Sequence, residues 1–138
     1  MPVLQAVSMV LFTLVASVAA TMAWKGLTAK GLLPFHQAAA GRGADTLTPS
    51  EQSVAVALTR SLGLGFAVVT LSLVAVVAAE AAGQRWTMVV GAVVALAFCS
   101  GLAVINRRLA RESGVGTPWK QSLYGVAAIA IGLALGMA

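Results

Sequence analysis

Apolar residues come in four long runs, roughly Val3–Trp24, Ser61–Ala79, Trp86–Ile105 and Gln121–Ala138, and polar and charged positions are pushed into the gaps between them. A bilayer core about 30 Å thick needs about 20 helical residues to cross it. Each run is near that length, so the pattern predicts a single all-α membrane domain over residues 1–138, a bundle of four transmembrane helices over about 3–24, 49–79, 86–105 and 118–138 with short loops. The second helix is predicted to begin well before its apolar run. Thr48 is placed to cap it, Pro49 suits the first helical position, and Glu51 completes a capping box. Thr117-Pro118-Trp119 reads as a second start of the same kind. Leu32-Leu33-Pro34-Phe35-His36 is apolar but too short to span, and is expected to lie in the headgroup layer or against the helix ends.

The connections predict neighbours. Glu80–Arg85, with Gly83, is a tight turn, which makes the second and third helices antiparallel partners. The third helix is expected to end at Asn106-Arg107-Arg108. The short loop Leu109–Gly116 then pairs it with the fourth. Helices in lipid associate through small residues that let backbones approach. Candidate packing positions of this type are Gly65, Gly91, Gly101, Gly132 and Gly136. The last two lie on the terminal helix, whose outer face is free for a partner or a second copy.

Charge then orients the bundle. Loop one carries Lys25, Lys30 and Arg42, with Arg60 just past it, and loop three carries Arg107, Arg108, Arg111 and Lys120. The other side has Arg85 alone: eight basic residues against one. The excess of basic residues on cytoplasmic loops predicts loops one and three inside and both termini on the non-cytoplasmic side of a cell (inner) membrane. The first run is too long for the apolar core of a signal peptide and has no basic segment before it, so it is expected to be a retained helix.

Composition narrows the function classes. Charged residues make up 9% of the chain and hydrophobic ones 59%, against about 25% charged in a typical soluble domain. A net charge of +5 spread over membrane-flanking loops points to anionic headgroups rather than nucleic acid. Cys99 is the one cysteine and His36 the one histidine, so no paired-thiol chemistry and no multi-ligand metal or haem site is expected. Asp and Glu are expected to be absent from the spans, with Glu80 in a turn, and no acid–base pair is visible. No catalytic residue and no cofactor follow, and the chain is expected not to be an enzyme.

Arg60 would cost at least about 2.5 kcal/mol at a bilayer centre, but it falls about one bilayer thickness before Glu80, where its side chain can reach the interface. With His36, Arg107, Arg108, Thr117 and Trp119 it makes the candidate cytoplasmic-face surface. The leading expectation is a non-enzymatic accessory or scaffold subunit, or a lipid-contacting helix bundle, with a membrane partner or a second copy as the other contact. The alternative is a small oligomeric transporter or channel for an anion or neutral solute, in which Ser8, Thr13, Ser17, Thr21, Thr70 and Ser72 line a polar path.

Leu33-Pro34-Phe35-His36, Leu47-x-Pro49-x-x-Gln52, Arg60-x-x-Gly63-x-Gly65 and Thr117-Pro118-Trp119 together resemble a group of small bacterial four-helix integral membrane proteins of unknown function. Members tend to read Pro-Tyr-His at the first motif and to carry a Trp before the second, where this chain has Ala44-Asp45. The resemblance covers most of the chain. It implies the fold and the membrane location and no activity.

Overall fold

Runs of Leu, Val, Ala and Met without an internal proline form uninterrupted helices, and five appear in the computed structural model, which describes residues 2–41 and 46–138. They are α1 (Pro2–Leu27), α2 (Pro34–Ala40), α3 (Pro49–Ala81), α4 (Arg85–Ser113) and α5 (Trp119–Met137). No strand occurs among the described residues. All but α2 are long and apolar enough to cross a membrane. Arg42, Ala44 and Asp45, which enter the charge count and the resemblance, lie outside the described residues.

Local chemistry sets the helix ends. Thr48 accepts from the Glu51 backbone N–H, and the Thr48 backbone N–H donates to the Glu51 carboxylate at 2.8 Å, so the capping box at the start of α3 is complete. The related Thr117-Pro118 stretch does something else. Its helix begins at Trp119 with no side-chain cap, and the Thr117 hydroxyl donates to the Asn106 carbonyl of α4 at 2.7 Å. A capping box needs an acidic or amide side chain three residues on; Glu51 supplies it in the first case and Lys120 stands there in the second. Helix α4 runs beyond Asn106-Arg107-Arg108 to Ser113 and stops at Gly114 in the left-handed region (φ 69°). Charge sets where a helix meets water, but not where it stops; glycine does that here. The short apolar segment becomes α2, with Pro34 in its first turn and Gly41 (φ 62°) closing it.

The long helices alternate in direction and form a closed four-sided bundle. Helix α1 packs on α3 and α5, and α4 packs on α3 and α5. Buried positions recur every three or four residues: Ser8, Phe12, Ala16, Ala19, Ala23 and Gly26 on α1, and Met88, Ala92, Ala95, Cys99, Ala103 and Asn106 on α4. That spacing is the seam of near-antiparallel helices packed side against side. Large side chains meet small ones across it. The Phe98 ring covers Gly65 and meets Phe66 edge-on at 5.3 Å. Gly91 lies against the Ser72 carbonyl and Val76. Gly132 faces the Phe12 ring, and Gly136 faces Ser8, Glu80 and Met88. Gly132 and Gly136 therefore point into the bundle and leave no free glycine face on α5. Gly101 has nothing within 4 Å of where a Cβ would stand and lies on the exposed side of α4 with Ala97; a small-x-x-x-small spacing does not say which face it occupies. The outer surface is Leu, Val, Ile and Trp, with Leu14 60% and Val104 67% exposed.

Candidate functional site

Two polar regions stand out, at opposite ends of the bundle. The basic end gathers around the α4–α5 connection. The Arg107 guanidinium lies 5.5 Å and the Lys120 ammonium 5.7 Å from the Trp119 ring centroid, within cation–π range. Thr117 ties this connection to α4 through Asn106, whose side chain is buried between the helices. Below it, a cavity of about 220 Å³ opens between the four long helices. Leu33 and Phe35 of the α2 segment close it on one side, and its walls are almost wholly apolar, from Val15, Met22, Phe66 and Leu102. Asn106, Gln121 and Ser122 supply its few polar atoms.

The structure thus brings Arg107, Thr117 and Trp119 together, with Lys120 as a member the sequence reading did not select. Arg108 turns to Glu112 at 2.7 Å, an exposed pair one helical turn apart, of a kind that contributes little. Arg60 stands exposed on α3. His36 is half-buried against Phe35, with ring centroids 4.0 Å apart. Its burial holds the imidazole below the ordinary value of 6.5. The neutral ring is therefore the folded form. Its contribution to stability is present above the ordinary value and is lost as pH falls through the lowered one. An NMR titration of the His36 ring is expected to give a midpoint below 6.5; a midpoint at or above that value would contradict this packing of α2.

At the other end lies a buried carboxyl group. Glu80 belongs to the last turn of α3 rather than to the turn after it, and it is 6% exposed. Its Oε2 lies 3.0 Å from the Ser8 hydroxyl oxygen, and its backbone carbonyl accepts from Gln5 at 3.1 Å. Position 80 is in phase with Leu73 and Val76 on the buried face of α3. That phase was the available signal; reading Glu80 with its polar neighbours through Arg85 hid it.

Four of the remaining hydroxyls bond within their own helix. Thr13, Ser17, Thr21 and Thr70 each donate to the carbonyl four residues back on their own helix, at 2.7–2.9 Å. This local bond spends the only proton of each. Among the described residues no three His, Cys, Asp or Glu side chains gather as a metal site would need. No family model matches the chain, and no curated protein or solved structure matches it either.

Proposed function

We propose that this chain is a four-span protein of the cell membrane, with its basic end in the cytoplasm and both termini outside. Its work is non-enzymatic: a scaffold or accessory subunit whose basic end holds anionic lipid headgroups beside a partner. The observation that carries this reading is Trp119 within cation–π reach of both Arg107 and Lys120, on a connection whose Pro118 and Gln121 line an apolar cavity. Tryptophan favours the level of the headgroups, the two cations match a phosphate, and the apolar walls below suit a hydrocarbon chain. The basic loops on the same side support the orientation.

Native mass spectrometry of the tagged protein, taken from its own membrane in mild detergent, tests this. The expected species carries retained anionic lipid and a stoichiometric foreign subunit. Each basic residue near an anionic surface contributes about 1 kcal/mol. Arg107→Gln with Lys120→Gln is therefore expected to lower lipid retention about thirtyfold. A discrete homo-oligomer free of both lipid and partner would overturn the reading and favour a small oligomeric transporter.

A further inference from the structure

The end of the bundle away from the basic loops holds one hydroxyl proton and too many acceptors. Ser8 Oγ is 3.0 Å from Glu80 Oε2 and 2.8 Å from the Gly132 carbonyl oxygen. A serine has a single O–H and can donate to only one of them. Glu80 Oε1 is buried with no hydrogen-bond partner. The Gln5 amide donates to the Glu80 backbone carbonyl and makes no bond to Oε1. The carboxyl group fits a cradle that glycine leaves open: a methyl group on Gly136 would stand 2.8 Å from Oε1, 2.9 Å from Ser8 Oγ and 3.2 Å from the Met88 sulfur.

Among the described residues no positive charge answers this carboxyl group within the bundle. Helix α1 brings Gln5 and Ser8, and α5 brings Gly132 and Gly136, none of them charged. From α4, Arg85 lines the small cleft beside Glu80, but it is exposed and forms no ion pair with Glu80 among the described residues. Ala138 lines the same cleft with an uncharged side chain. A charge buried without a partner is strongly disfavoured.

One added proton resolves all of this, and we propose that Glu80 is a proton-binding site. With an O–H on Oε2, Glu80 donates to Ser8 Oγ, Ser8 donates to the Gly132 carbonyl, and each donor has one acceptor. Oε1 becomes the carbonyl oxygen of a neutral acid, seated against Gly136 and Met88. The proton comes from water or buffer through the cleft of about 140 Å³ lined by Leu4, Gln5, Gln84 and Arg85. Losing it puts an unbalanced charge where α1, α3 and α5 meet, so occupancy of the site is linked to the packing of that end. The inference stands whether or not the basic end binds lipid.

Infrared spectroscopy of the full chain in lipid tests it, since a protonated carboxyl group has a C=O stretching band well separated from that of a carboxylate. The other carboxylates with described positions, Glu51 and Glu112, are exposed. At neutral pH the wild type is expected to show one such band, sensitive to deuteration, and Glu80→Gln to lose it. Ser8→Ala is expected to keep the band and move it to higher frequency, which assigns it independently should Glu80→Gln fail to fold. A wild-type spectrum without the band at neutral pH overturns the proposal. A band that appears only when sodium is withdrawn also overturns it, because the site would then hold a metal cation.

Discussion

Replacing Gly63 by leucine is expected to destroy the folded bundle. Helices α1 and α3 cross where Gly26 and Gly63 face each other, backbone to backbone. A Cβ on Gly63 would stand 2.7 Å from the Leu27 nitrogen and 2.8 Å from the Gly26 carbonyl carbon. A Cβ on Gly26 would stand 2.6 Å from the Gly63 Cα. No side chain can rotate out of the way, so the helices themselves must separate. Added bulk in a packed interior costs about 1–3 kcal/mol when side chains can adjust; against backbone the cost is expected to exceed about 3 kcal/mol. The matched control is Gly101→Leu, which adds the same side chain on an open face. Thermal unfolding in detergent should show Gly63→Leu unfolded and Gly101→Leu close to wild type. Equal behaviour of the two would mean that α1 and α3 do not cross at these glycines.

Phe12→Ala is expected to have the second largest effect. The Phe12 side chain is fully buried and packs on Gly132 of α5, beside Ala16 and Ile129. In a soluble protein, removing such a ring costs about 3–5 kcal/mol, part of it the lost transfer from water. In a bilayer the separated helices keep their side chains in an apolar solvent, so mainly the packing part remains. The expected loss is about 2–3 kcal/mol, read as a lowered unfolding midpoint in the same assay. Leu14→Ala removes a side chain that is 60% exposed and is expected to leave the midpoint unchanged. A larger loss at Leu14 than at Phe12 would place the α1 seam on the wrong face.

Much of the fold was legible because length and continuity of apolar residues decide which segments form long helices. The start of α3 was legible for a local reason, since Thr48 and Glu51 satisfy each other with no help from the rest of the chain. What depended on rotation about a helix axis was not. Small residues are abundant on every face, so spacing alone ranked Gly101 with Gly65 and Gly91, although only the last two meet a neighbouring helix. Gly26 follows Lys25 and read as the first residue of a loop; α1 continues through it to Leu27, and the closest helix crossing falls there. Glu80 was misplaced for a related reason. A charge beside a turn reads as part of the turn unless the phase of the preceding helix is carried through it.

The candidate surface divides along the same line. Arg107, Thr117 and Trp119 meet because the α4–α5 connection is short and folds back on α4. Arg60 and Arg108 share their sign of charge but belong to exposed faces of their helices, which composition cannot distinguish.

The proposed topology, four spans with the basic end in the cytoplasm, is tested most directly by cysteine accessibility. In a Cys99→Ser background, single cysteines replace Gln84, in the α3–α4 turn, and Arg111, near the end of α4; both positions are exposed. Sealed right-side-out membranes are treated with a membrane-impermeant thiol reagent. Position 84 is expected to label from outside, and position 111 only after the membranes are opened. Labelling of both positions from the same side, or of position 111 alone in sealed membranes, would contradict it.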